Sequence, residues 1–173
     1  QAKAVFDLDS VQLLQTIGEL GAGKDLAGNT LQGVPHFYPG AAAAPEAEPF
    51  PLTLYKLEKK VAAGARFFQT QAVFNPEKFS TFSAAVKHLD VRIIVGILLL
   101  KSAGMARYVN ANIPGLTVPA PIIEELENAA NPVAKGVEIA RRLAAEVRPF
   151  CDGIHIMAMG KEELIPEIIK EVR

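Results

Sequence analysis

The chain has 173 residues, half of them hydrophobic, and a formal net charge of −1, which is enough apolar material for an ordinary folded core. No Lys/Arg stripe dominates, which argues against a nucleic-acid partner, and no apolar run reaches the roughly 18–20 residues of a membrane span. A single cysteine, Cys151, excludes an internal disulfide framework and fits a reducing, cytoplasmic setting.

Asp9-Ser-Val-Gln12 is a capping-box pattern, and Leu13, Leu14, Ile17 and Leu20 follow it as a helical apolar stripe. Gly21–Gly33 is rich in glycine and polar residues and reads as loop. Val34–Tyr38 reads as a short strand, followed by a loop of small residues, Pro39–Pro45, that allows close backbone approach to a ligand or serves as a plain connector. In the next helix Leu54, Leu57 and Val61 line one face, which leaves Lys56, Lys59 and Lys60 together on the other, ordinarily a solvated face.

A turn at Ala63-Gly64 leads into a second strand, Phe67–Gln71, whose end carries the polar trio Gln69-Thr-Gln71. Asn75-Pro76 opens a helix with the stripe Phe79, Phe82, Val86 and Leu89. Val91–Leu100 is almost uniformly apolar, as expected of a parallel strand covered on both faces. A helix with Met105 and Val109 follows, then prolines at 114, 119 and 121 and a short helix over Ile122–Asn128. Asn131-Pro132 caps a long helix with the stripe Val133, Val137, Ala140, Leu143 and Val147. Gly153–Met157 is the fourth strand, and Glu162–Val172 is expected to close the chain as a helix with Leu164, Ile165, Ile168, Ile169 and Val172 inward.

Four strands alternating with helices imply a parallel sheet with right-handed crossovers and one domain over residues 1–173. A complete (β/α)8 barrel needs eight strands and about 250 residues. The expected architecture is therefore α/β, about four β/α units of a TIM barrel, with two strand edges left to pair elsewhere. The isolated chain is expected to be poorly soluble or oligomeric for that reason. The sequence begins with Gln1 rather than Met and shows no signal-peptide pattern, so a piece of something longer is expected.

Ligands of β/α proteins bind at strand C-termini, and Gln71 stands there with an amide that both donates and accepts. There is no Cys/His cluster with metal spacing, no phosphate-binding glycine motif and no nucleophile elbow. His36, His88 and His155 are scattered, and Asp152 is better suited to fixing a strand entry than to acid/base work.

Lys59-Lys-Val-Ala-Ala-Gly-Ala-Arg-Phe-Phe-Gln-Thr-Gln-Ala-Val-Phe-Asn75 resembles the sixth-strand region of methylenetetrahydrofolate reductases, where K-K-V-x-A-G-A-x-F-x-x-T-Q precedes an aromatic-rich loop. Ile93–Leu98 is similar to that family's seventh strand, Asn112–Pro119 to its Pro-bounded loop, Asp152–Met157 to its eighth strand, and Val5–Leu14 to the stretch after its fourth. Gly40-Ala-Ala and His155–Gly160 look most like the reductases of acetogenic and related anaerobic bacteria.

The resemblance implies the C-terminal part of a flavin-dependent (β/α)8 barrel that reduces 5,10-methylenetetrahydrofolate to 5-methyltetrahydrofolate with FAD. It implies Gln71 as the pterin-binding amide and Lys161 as a partner for the folate carboxylate tail. Lys60 falls near the FAD phosphates with Lys56 and Lys59 beside it, Phe6 and Asp7 at a flavin-contacting turn, and Gly40 and Ala41 at the loop after the fifth strand. The electron source would be NAD(P)H or an electron-delivering partner subunit, in a homo- or hetero-oligomer with no nucleic acid, membrane or metal. The family's general-acid Glu, on its first strand, lies outside the sequence, so no catalytic residue is expected within it. Ala44, Val95, Leu99, Met105 and Met157 depart from the family pattern. Two other readings share much of this pattern: a non-catalytic half-barrel interaction subunit, and a pterin-binding methyltransferase-type barrel.

Overall fold

A computed structural model describes residues 7–170. Helix α1 (Ser10–Gly21) begins at the expected capping box: Asp9 Oδ1 accepts from the amides of Val11 and Gln12, and Gln12 Oε1 accepts from the Asp9 amide. Of the predicted stripe only Leu14 is buried, and Leu13 is half exposed. Strand β1 (Gly40–Ala43), α2 (Phe50–Ala62), β2 (Phe67–Ala72), α3 (Pro76–Val86) and β3 (Arg92–Leu98) follow. After β3 come α4 (Ala103–Asn112), α5 (Ala120–Glu127), α6 (Pro132–Val147), β4 (Gly153–Met157) and α7 (Ile165–Ile169).

The four strands form one parallel sheet in the order β1-β2-β3-β4. Asn75 and Asn131 cap α3 and α6 as expected, their side-chain oxygens accepting from the Lys78 and Ala134 amides.

The first strand is displaced from its expected place. Val34–Tyr38 forms no strand, and Val34, Phe37 and Tyr38 are more than half exposed. The ladder starts instead at Gly40, opposite Phe67, so Gly40 and Ala41 are strand residues rather than loop. Two features set that start. Pro35 and Pro39 carry no N–H for a ladder, and the Phe67 ring lies where any Cβ at position 40 would stand. The Tyr38 ring stacks on Phe67 at 5.7 Å, just before the strand.

The closing helix also differs. Residues Glu162–Leu164 form a 3-10 turn and α7 spans Ile165–Ile169; Pro166, which has no amide, falls in its first turn, so the α-helix starts later than expected. Ile168 alone of its predicted inward set is fully buried, Ile169 is exposed, and Val172 lies outside the described residues.

Helices cover one face of the sheet. In β2 burial alternates, with Phe68, Thr70 and Ala72 buried and Gln69 and Gln71 exposed. Phe68, Ile93, Val95 and Ile97 meet Phe79 and Phe82 of α3 and Ile139 and Leu143 of α6 in the core. On the other face Ile94 is half-buried while Gly96 and Leu98 are buried, so β3 is covered there towards its C-terminal end.

Asp152 fastens the entry of β4 to β3. Its carboxylate accepts from the Ile93 amide at 2.8 Å and from the Arg92 guanidinium at 2.8 Å, while its own amide donates to the Ile93 carbonyl. Burial raises its pKa, but the Ile93 N–H and the charges of Arg92 and Arg148 outweigh that and hold it below the usual carboxylate range. A carboxylate depressed in the folded state contributes stability that is present above its unfolded pKa and is lost as pH falls through the folded value. Asp152→Asn should therefore be less stable than wild type at neutral pH, with the gap closing in acid. Urea midpoints taken across the acid limb check this, and a gap constant with pH would refute it.

Candidate functional site

The C-terminal ends of β1, β2 and β3 carry the features that could hold a ligand, and Gln71 stands at their centre. Its side chain is exposed and lines two cavities at once. The first, about 250 Å³, lies between the end of β1 and α2 and is walled by Ala42–Ala44, Thr53, Lys56 and Lys60. Lys60 Nζ donates to the Ala42 carbonyl at 2.7 Å. Burial, with the charge of Lys56 adding to it, pushes its pKa below the usual lysine value. Neither ammonium meets a carboxylate among the described residues. The pair is thus a cationic corner with no carboxylate partner, where a bound anion would oppose that lowering of the Lys60 pKa.

The second cavity is a groove of about 710 Å³ across the ends of β2, β3 and β4, lined mainly by apolar side chains: Leu98, Met105, Tyr108, Ile113, Leu116 and Met157. Thioether side chains adapt to flat ligands, so the departures at Met105 and Met157 fall on one working surface. Two clamps shape the groove. Asn110 pairs with both the amide and the carbonyl of Val118, folding the Pro-bounded loop back until Gly115 stands beside Gln71 Oε1. Lys101 Nζ donates to the Met159 carbonyl at 2.8 Å, tying the turn after β3 to the turn after β4. Met159 sits at φ 55°, a left-handed conformation that a non-glycine residue keeps only where surroundings hold it.

Of the residues expected at the site, Gln71, Lys56 and Lys60 come together; the others do not. Lys59 points elsewhere, its ammonium over the Tyr55 ring at 4.9 Å and held above the usual lysine pKa by its hydrogen bond to Tyr55. Lys161 pairs with Glu163 at 3.4 Å and lines neither cavity. Gly40 and Ala41 sit in the first half of β1, and Ala42–Ala44 take the place by Lys60. Asp7 is exposed and lines neither cavity, and Phe6 lies outside the described residues.

Glu46 escaped the sequence reading altogether. One of its oxygens accepts from the amides of Phe74 and Asn75, both at 2.8 Å, and so joins the loop after β1 to the loop after β2. Burial raises its pKa against the pull of those two N–H groups and of Lys78. A carboxyl raised in this way contributes stability that is complete below its unfolded pKa and declines as pH rises through the folded value. Glu46→Gln keeps an acceptor without the charge and should match or exceed wild-type stability near neutral pH. Glu46→Ala strands both amides and should cost about 1–3 kcal/mol. Thermal or urea unfolding of the two variants side by side tests this; equal effects would refute it.

A further cavity of about 410 Å³ opens at the opposite end of β3, lined by Ser83, Lys87, Phe150 and Cys151 among others. Burial pushes the Cys151 thiol up, away from reactivity. Among the described residues no cluster of acids, histidines or cysteine could hold a metal, and no helix is long and apolar enough to cross a membrane.

The fold and the site together define an α/β protein that presents one amide between a cationic corner and an apolar groove, at the ligand-binding end of a parallel sheet. Residues 10–173 match the family model for methylenetetrahydrofolate reductase, and the chain belongs to that family. It is also similar to a solved structure of an uncharacterized protein from Clostridium thermocellum that binds two copies of 5-methyl-5,6,7,8-tetrahydrofolic acid. The identity is 21%, the TM-score 0.54, and the match covers 75% of this chain but 50% of the other, so the likeness is one of fold and spans half of that protein.

Proposed function

We propose that this chain forms part of a flavin-dependent reductase that converts 5,10-methylenetetrahydrofolate to 5-methyltetrahydrofolate. The observation that carries the reading is the position of Gln71, whose amide borders both the cationic corner and the apolar groove. Family membership and a folate-binding structural neighbour support it.

The residues present fit FAD. Lys56 and Lys60 offer ammonium groups beside the small residues Ala42–Ala44, where its phosphates can approach closely, and the groove of methionine, leucine and tyrosine side chains suits a planar ring. When bound and reduced, the flavin supplies a hydride to the exocyclic methylene of the folate. The chain's own part is placement: Gln71 orients the pterin by donating and accepting at its polar edge, and the groove excludes water. Lys161, two residues past Met159, would meet the folate carboxylate tail after releasing Glu163. In this reading the proton comes from an acid outside these 173 residues.

In this reading β1 and β4, each with one edge unpaired among the described residues, join further strands to close a (β/α)8 barrel, and the sheet face without helices becomes the barrel interior. NAD(P)H or an electron-delivering partner subunit completes the reaction.

The test is an absorbance spectrum of the native protein with its intact mass, followed by anaerobic mixing of the reduced protein with methylenetetrahydrofolate. A flavin spectrum that reoxidises on mixing is the expected result. Folate binding without flavin would instead favour a pterin-binding methyltransferase-type barrel, and neither ligand would leave a half-barrel interaction subunit.

A further inference from the structure

We propose that Thr70 and Gly96 form a lock that positions Gln71 at the meeting point of the two cavities; as a functional statement this rests on the reading of Gln71 given above. In the β2–β3 pair Gln69 stands opposite Ile94 and Ala72 opposite Gly96. Thr70 and Gln71 therefore share a single partner position, Val95, and β2 carries one extra residue: a bulge, which is rare between parallel strands and common beside functional sites.

A bulge breaks the ladder, and in this one a side chain repairs the break. The Gly96 amide donates to Thr70 Oγ1 at 2.9 Å, and that hydroxyl in turn donates to the Gln71 carbonyl at 2.7 Å. The regular pattern resumes when the Val73 amide donates to the Gly96 carbonyl at 3.0 Å. Thr70 is the one buried polar side chain among the described residues, 4% exposed. A hydroxyl in that setting is costly unless it is bonded, and this one uses its donor and an acceptor site together.

The bulge also needs glycine opposite it. A Cβ on residue 96 would stand 2.7 Å from the Thr70 carbonyl oxygen and 2.9 Å from that of Gln71. Those oxygens are backbone and cannot rotate aside. The hydroxyl and the missing Cβ thus hold one local geometry, and its product is a Gln71 lifted out of the ladder to the rim. Thr70 and Gly96 touch neither cavity, so they are positioning residues.

The experiment uses the intact native protein and the variants Thr70→Val, which keeps the shape and removes the hydroxyl, and Thr70→Ser, which keeps the hydroxyl. Two readouts follow: hydrogen exchange at the Gly96 amide, and the dissociation constant for 5-methyltetrahydrofolate, with flavin content as control. Thr70→Val should speed Gly96 exchange and weaken folate binding by about tenfold each, the loss expected for one hydrogen bond, with flavin retained; Thr70→Ser should restore both. If Thr70→Val does not fold, Thr70→Ala, which also removes the hydroxyl, is read the same way. Unchanged Gly96 exchange in Thr70→Val overturns the lock. So does unchanged folate affinity in a protein whose Gln71→Ala variant has lost it. If wild type binds no folate, the functional reading fails, and a crystal structure of Thr70→Val then decides the lock: Gln71 displaced from the rim supports it, Gln71 unmoved overturns it.

Discussion

Gly136→Ala should destabilise the fold by about 3 kcal/mol, at the upper end of the usual cost of overpacking. Gly136 lies in the first half of α6, buried where the helix crosses the end of β3. A Cβ there would collide with the backbone carbonyl of Leu100 and come within 3.4 Å of Leu99 Cδ1. Two effects compete. Alanine is favoured over glycine inside a helix by roughly 1 kcal/mol. The collision is with a backbone oxygen that has no rotamer to escape into, so α6 must move off the sheet, and its packing of Val137, Ile139, Ala140 and Leu143 moves with it. The steric cost wins. Gly18→Ala is the control: Gly18 is exposed within α1 with nothing within 4 Å of a new Cβ, so propensity acts alone and the variant should gain roughly 0.5–1 kcal/mol. Urea unfolding of both variants reads the two signs. A neutral Gly136→Ala would mean that α6 does not approach Leu100 this closely.

On the proposed function, Gln71→Ala should raise the folate KM and slow transfer from reduced flavin to folate, about tenfold for each hydrogen bond the amide would make to the pterin. Flavin binding, which the proposed function assigns to Lys56 and Lys60, should hold. The side chain is exposed, so stability should stay within about 0.5 kcal/mol of wild type. That separation matters: a kinetic loss with an unchanged melting curve belongs to the ligand, whereas a loss of both would belong to the fold. The half-reaction is followed by flavin reoxidation after anaerobic mixing. Folate kinetics equal to wild type would remove Gln71 from the site.

The helix starts were readable because caps are local. Asp9 with Gln12, Asn75 with Pro76 and Asn131 with Pro132 each satisfy free amides within three residues, and the structure shows each cap made as written. The apolar run of β3 was readable from its length and composition, and the stripe of α6 because burial along a helix is periodic. β1 was not: Gly40-Ala-Ala-Ala43 has no alternation to read, and its pairing with Phe67–Thr70 across the ladder makes it a strand. The lysines divide in the same way. Lys56, Lys59 and Lys60 share a helix in sequence, but Tyr55 draws Lys59 off while the Ala42 carbonyl draws Lys60 in.

By itself, then, the sequence determined the β/α alternation, the caps, the family resemblance and the place of Gln71 at a strand end, because each depends on residues a few positions apart. Only the tertiary structure decided the bulge at Thr70, the need for glycine at 96 and 136, the Glu46 bridge and the groove that gathers Met105, Tyr108 and Met157. Those depend on which backbone oxygen or side chain lies across a gap of 20 or more residues, and no local pattern encodes that distance.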